Sequence, residues 1–323
     1  MASKLGLWKF IGRRLLLGLL TLFIVSVVVF TATQLLPSDP ARAILGRDAT
    51  PQSVAALQER LGLNRPAIEQ YLGWVGGVLT GDPGDSFNAR IPIIDYIGDR
   101  VVNSLFLLLL ASVVSVPISL LIGAYTARKR DTTFDNVASN AMLALASLPD
   151  FVVGLLLVLL FATRFWKVLP AVAQIPIGEG PWSHLDQMIL PTATLVLGAV
   201  PYIARTARAS IIEVNESDYI EMARLKGASE RIVLWRHALP NALGPVFQVI
   251  ALNIAYFAGG VIVVEFLFNY PGIGGALAAS VRVRDIPVIQ FLVMVIAGVY
   301  VLTNIAADVA TVLTTPRLRT RLR

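Results

Sequence analysis

Long runs of Leu, Val, Ile, Ala and Phe alternate along the chain with shorter polar stretches, and six of the runs approach the ~20 residues that a helix needs to cross bilayer hydrocarbon. They predict spans at 15–36, 104–125, 137–163, 188–204, 243–268 and 286–314. The fourth is the weakest by this pattern. It is short and holds Pro191 and Pro201, which a membrane helix tolerates only where neighbours or water satisfy the freed carbonyls. It is kept because the loop charges fall into order only if it crosses.

Composition agrees with the pattern. Of 323 residues, 56% are hydrophobic and 15% charged, with a mean hydropathy of +0.71, outside the range of a soluble domain of this size. The runs are continuous, so the expected fold class is an all-α polytopic membrane protein and not a barrel. The net charge of +6 would suggest nucleic acid in a soluble protein, but here topology accounts for it. With the N-terminus inside, Lys4, Lys9, Arg13, Arg14, Arg128, Lys129, Arg130, six bases between spans four and five, and Arg317, Arg319, Arg321 and Arg323 are cytoplasmic. That is 17 of 27 basic residues on about 70 cytoplasmic residues, against about 110 outside, as the positive-inside rule asks. Both termini are expected in the cytoplasm. The first span is too long for the apolar core of a cleaved signal peptide, ~7–15 residues. There is no Cys, so no disulfide or thiolate metal site is available.

These readings divide the chain into an N-terminal segment and first span (1–36), an outer segment (37–103), a five-helix core (104–314) containing a cytoplasmic loop (205–242), and a basic tail (315–323). In the outer segment Thr50 before Pro51 signals a helix start, Val54, Leu57 and Leu61 follow at helical spacing, and Gly62 ends it. Such a stretch can cap the outer face but cannot bury a core of enzymatic size.

The loop at 205–242 reads as two short amphipathic helices about a hinge. The first, about 215–226, puts Tyr219, Met222 and Ala223 on one face before Gly227 permits a turn. The second starts near Ser229 as N-cap, carries Ile232, Trp235 and Leu239, and is expected to stop at Pro240. Paired amphipathic helices suit docking into a groove on another protein. The plainer alternative is a helix lying on lipid headgroups, but five acids offset the six bases here, so anionic lipid would be poorly attracted.

The run Glu221, Met222, Ala223, Gly227, His237, Ala238, Leu239, Pro240, Asn241 resembles the EAA loop of ABC-importer permeases. Met222 in place of the middle Ala, and His237 in place of Ile, resemble the dipeptide, oligopeptide and nickel branch of that family. Leu61, Gly62, Leu63, Gln70, Tyr71, Trp74, Gly81, Asp82, Gly84, Ser86 and Phe87 are similar to the outer segment of the same branch, and Glu265, Phe266, Pro271, Gly272 and Gly274 to a motif after its fifth span. The resemblance implies a type I ABC importer permease fold with six transmembrane helices. It implies that Glu221, Met222, Ala223, Gly227, His237, Leu239, Pro240 and Asn241 couple to one or two ABC ATPase subunits, with Glu221 pairing with a base there. It further implies a second homologous permease chain, an extracytoplasmic substrate-binding protein, and ATP and Mg used by the ATPase.

No phosphate loop, His-Glu-x-x-His or Gly-x-Ser-x-Gly occurs in the sequence, so catalysis by this chain is not expected, and no bound cofactor or metal. Asn140, Asp150, Gln248, Asn253, Glu265, Asn304 and Asp308 fall within the predicted spans. A charge at membrane depth costs at least ~2.5 kcal/mol, so the acids should face a bundle interior or wet cavity. Asp150, Asn253 and Glu265 are the candidates for a translocation path. Asp150 follows Pro149 where a broken helix could expose carbonyls and a carboxylate to a passing solute; the N-terminal ammonium of a peptide would suit it, the alternative being a purely structural pairing. Asp308 is expected to pair with Arg205 or Arg208, and Glu265 to be either a solvated helix end or part of an outer gate. Peptides are the expected substrate, nickel being disfavoured by spans without His or Cys and with scattered Met142, Met188 and Met294. The alternative from another class is a stand-alone ion-coupled transporter or channel, which would give the Gly227 hinge no purpose.

Overall fold

The computed structural model describes residues 4–35, 39–46, 49–176 and 178–314, without the side chains of 4–7, 234, 235, 239–241, 243, 255, 258, 307 and 310–314. The basic tail at 315–323 lies outside the described residues, as do the side chains of Trp235, Leu239, Pro240 and Asn241. The regular elements of the described residues are helices, in the order α1 (Lys4–Gln34), α2 (Pro40–Leu45), α3 (Pro51–Arg60), α4 (Ala67–Thr80), α5 (Ile93–Arg128), α6 (Thr133–Ala146), α7 (Asp150–Val158), α8 (Leu185–Asn215), α9 (Asp218–Leu225), α10 (Glu230–Ile232), α11 (Leu239–Leu267), α12 (Ile273–Val283) and α13 (Ile286–Thr314).

Four helices, α1, α5, α8 and α13, are long and apolar enough to cross a membrane unbroken. Two bent pairs are long and apolar enough to cross if each is one span: α6 and α7 meet at 103°, and α11 bends by 49° between its halves. The first bend falls at Ser147, Leu148 and Pro149, between the two helices. Proline has no amide hydrogen and disfavours helical backbone before it, so the chain breaks there.

The fourth span is the centre of the bundle. α8 has 31 residues, well beyond the expected 188–204, and 67% of its apolar window is buried, against 22% in α1, α5 and α13. A helix surrounded by protein need not be uniformly apolar, and its two prolines sit where neighbouring helices close around them. Leu195, Ala199 and Ile203 of α8 pack with Leu107 of α5 and Phe257 and Val264 of α11. Small residues permit the approach: a Cβ on Gly123 of α5 would lie 2.6 Å from the Ala204 carbonyl oxygen. α1 stands at the edge, packed on α13, where a Cβ on Gly18 would come within 2.7 Å of Val301.

Long-range polar contacts join like ends of the helices, as alternating crossings require. At the end that the charge pattern assigns to the inside, Arg14 pairs with Asp308 at 3.0 Å, and Arg208 grips Asp135 through two hydrogen bonds of 2.7 and 2.6 Å. The expected partnership of Asp308 with Arg205 or Arg208 is therefore wrong. α13 packs beside α1, and Arg208 is committed to Asp135, which is 1% exposed. The paired arginine holds the Asp135 carboxylate charged although it is buried.

At the opposite end, Thr50 caps α3 with the Thr50–Ser53 reciprocal hydrogen bonds expected of a helix start, and Gly62 takes φ +68° just beyond it. Tyr71 of α4 meets Ser26 of α1 at 2.8 Å, and Tyr71 and Trp74 both lie on Phe30. α5 begins at Ile93, inside the expected outer segment.

Candidate functional site

The loop after α8 folds about a very small core. Ile220 of α9, Val233 and Ala238 are buried together, with Val214 and Ala228 against them. Periodicity had grouped Tyr219, Met222 and Ala223 as one face, but burial selects Ile220. Tyr219 (45%), Met222 (52%) and Leu225 (76%) are left exposed. On a helix of eight residues this is a large uncovered apolar face.

The turn after α9 is fixed by its backbone. Gly227 adopts φ +83°, its N–H donates to the Arg224 carbonyl, and the Ala228 N–H reaches the Ala223 carbonyl. These two bonds are a Schellman closure with glycine at the left-handed position. Arg224 spans the turn, its Nε bonding Glu230 at 2.8 Å and its Nη1 the Asn215 carbonyl at 3.3 Å. Arg130, after α5, pairs with Glu216 and ties the neighbouring loop to the start of this one; the hydrogen bond with Glu216 raises the Arg130 pKa. Glu221 is exposed and forms no ion pair among the described residues.

Three expectations for this loop are corrected. α8 runs on to Asn215, so the first loop helix spans only Asp218–Leu225. Ser229 occupies the N-cap position without a side-chain bond, and α10 is a single turn followed by a π-helical turn, Val233–Ala238. Pro240 does not stop a helix: it lies in the first turn of α11, where the missing amide hydrogen is no loss.

In the middle of the bundle, Asp150 is the first residue of α7 and follows the 103° bend. The Tyr256 hydroxyl donates to its Oδ2 at 2.9 Å. The backbones of Gly198 and Gly260 flank the carboxylate, where a Cβ would lie 2.7 Å from Oδ1 and 3.3 Å from Oδ2 respectively. Tyr202, one turn along α8 from Gly198, lies 3.4 Å from the Ala146 carbonyl freed by the bend. Tyr202 and Tyr256 are both half exposed. Sequence reading found Asp150 but neither tyrosine, since nothing in the spacing joins three separate helices.

The other two path candidates are elsewhere. Asn253 is buried and spends its amide on the Val249 carbonyl of its own helix at 2.9 Å. Glu265 is fully buried, which rules out a solvated helix end. Its carboxylate accepts from the Ser104 hydroxyl and, at 2.6 Å, from the Gly274 N–H in the first turn of α12, while Ser104 Oγ accepts from the Ile273 N–H at 2.9 Å. Glu265 thus closes the N-terminus of α12 and fastens it to α5. A second buried carboxylate brackets the far end of α12. Asp285 accepts from the Ser86 hydroxyl at 2.5 Å and from the N–H groups of Phe87 and Asn88 at 3.0 and 3.2 Å. The sequence reading missed Asp285; an Asp directly before Ile286 and Pro287 was an available helix-start signal. Among the described residues no cluster of three or more His, Cys, Asp or Glu is placed to hold a metal ion.

An all-helical bundle with bent apolar segments, a buried central helix and a projecting loop has the architecture of a polytopic membrane protein, and sequence comparison gives the family. The chain matches the binding-protein-dependent transport system inner membrane component over residues 119–320, and the N-terminal part of such membrane components over residues 7–107. The chain belongs to that family. It is 36% identical over 311 residues to the Sinorhizobium fredii protein named "Probable peptide ABC transporter permease protein y4tP", covering 96% of this chain and 99% of that one. It is 37% identical over 306 residues to the glutathione transport system permease protein GsiC of Escherichia coli K12, covering 94% and 97%. A crystal structure of an amino acid ABC transporter with histidines is 19% identical, with a TM-score of 0.48, covering 68% of this chain and 92% of that one. The family match and these two relatives make the chain a multi-pass permease subunit of the ABC importer class.

Proposed function

We propose that this permease forms half of the translocation path of an inner-membrane importer of di- or oligopeptides, with both termini in the cytoplasm. A second homologous permease chain supplies the other half, and an extracytoplasmic binding protein delivers the substrate. One or two ABC ATPase subunits hydrolyse ATP with Mg; this chain, which has no phosphate loop, transmits their movement. The peptide assignment draws support from the names of the relatives and from the motif resemblance.

The observation that carries the reading is the loop at 205–242. Tyr219, Met222 and Leu225 present an apolar face that no other part of the described chain covers, on a helix held by its own core and a glycine closure. That face, with exposed Glu221 beside it, suits a cleft in an ATPase subunit that supplies a base for Glu221. Gly227 sets the angle between the two parts of the loop, and Met222, Ala223, His237, Leu239, Pro240 and Asn241 complete the coupling segment. Asp150 belongs to the path. Asn253 and Glu265 support the path helices, Glu265 by fastening the outer gate helix α12.

The test is to purify the chain from native membranes in mild detergent and to identify what accompanies it by mass spectrometry. A second polytopic chain and a subunit with a phosphate loop are expected. Glu221→Lys and Gly227→Pro should remain inserted yet lose the ATPase. Recovery of wild-type chain alone, with uptake that persists after ATP depletion, would replace this reading with a stand-alone transporter.

A further inference from the structure

Asp150 sits where a charge is hardest to keep. Its neighbours Gly198 and Tyr256 lie near the middles of α8 and α11, so the carboxylate is near the midplane of the bundle. Among the described residues no Lys, Arg or His forms an ion pair with it. It is only partly buried, and the tyrosines around it are half exposed. An unpaired carboxylate at this depth cannot face lipid, so this side of the bundle faces water or the other half of a path.

The surroundings are those of a recognition site. Gly198 and Tyr202 are four residues apart on α8, and Tyr256 and Gly260 four apart on α11, so each pair presents one helix face. Each glycine lets the carboxylate lie directly against a helix backbone, and each tyrosine places a hydroxyl beside it or beside the bend. The Tyr256 hydroxyl occupies one lone-pair direction of Oδ2, leaving the remaining acceptor capacity of the carboxylate for another donor. The tyrosine rings offer faces that attract a cation.

We infer that Asp150, Tyr202 and Tyr256 form a transient midplane subsite for an organic ammonium group, the α-ammonium of a peptide in transit. The subsite rests on the peptide reading above and extends it by naming the group recognised inside the membrane. Oxyanion ligands are excluded by the carboxylate. A site made of one carboxylate and two hydroxyls, with no second charge, binds weakly enough to release its occupant, as a path requires.

The test uses the complete importer in proteoliposomes, with its binding protein and ATPase, and radiolabelled dialanine and trialanine as probes. One charge-assisted hydrogen bond changes a rate about tenfold or more. Asp150→Asn should therefore lower uptake at least about tenfold while binding-protein-stimulated ATP hydrolysis continues, Asp150→Glu should restore most of the uptake, and Tyr256→Phe should fall between. Wild-type uptake in Asp150→Asn overturns the subsite alone. Uptake and hydrolysis that fall together in Asp150→Asn, with no rescue by Asp150→Glu, overturn it in favour of a carboxylate that only holds the bend. A wild-type importer that hydrolyses ATP but imports neither probe removes the peptide reading, and the subsite with it.

Discussion

At the outer end of the bundle, the buried carboxylates of Glu265 and Asp285 take up hydroxyl and backbone donors from both sides of α12, and the helix is held at each end by the chain's own atoms. At the inner end, α9 is held through Ile220 in a core of three buried residues, while Tyr219, Met222 and Leu225 are left exposed. The outer connections are complete within one chain; the inner loop is rigid enough to hold a shape but unfinished as a surface. A held shape with an uncovered face is what the proposed coupling role needs, because a flexible loop would absorb a displacement.

This contrast can be broken from either end. Asp285→Ala removes the acceptor of the buried Ser86 hydroxyl and of the partly buried Phe87 and Asn88 amide bonds, and should cost about 3 kcal/mol of stability, read as a lower thermal midpoint in detergent and early proteolysis near residues 86–88. Glu265→Ala removes the acceptor for Ser104 and Gly274 and should cost about 3 kcal/mol. Both variants, where they fold, should still retain the ATPase on pull-down. Gly227→Val must place a β-branched residue at φ +83°, a penalty of about 1–2 kcal/mol confined to the loop; ATPase retention should drop while the thermal midpoint of the bundle moves little. Replacing Tyr219, Met222 and Leu225 together by Ser should change stability by no more than about 1.5 kcal/mol and yet abolish ATPase retention. A large loss of stability in that last variant would mean that the face is covered by the chain itself.

Much of the architecture was legible in the sequence because lipid imposes a simple requirement. Five of the six apolar runs are obvious for that reason, and Thr50, Gly62 and Gly227 announced their local geometry correctly. α8 was the weakest prediction although it is the central helix: protein, not lipid, surrounds it, so its sequence is free of the rule that exposes the others. Pro240 was read as an end when it is a beginning, because proline is compatible with both the residue after a helix and the first turn of one. The partners of Asp308, Glu265 and Asp285 come from segments far away in the chain, and no local pattern encodes which helix will stand beside which. The midplane cluster shows the same limit, since Asp150 was visible alone while its two tyrosines needed the packing of three helices.

The pairing of Asp135 with Arg208 also sets an order of events during synthesis. The two residues are 73 positions apart, so at ribosomal rates the carboxylate exists for roughly 4–15 seconds before its arginine is made. Until then the charged end of α6 lacks its arginine, so the packing of α6 against α8 at that end is expected to close only after α8 is made. Because the sequence has no Cys, a single cysteine beside Asp135 in ribosome-held chains of increasing length reports this directly, and its labelling should fall only once Arg208 has emerged. A span that is early in the sequence is in this sense late in assembly.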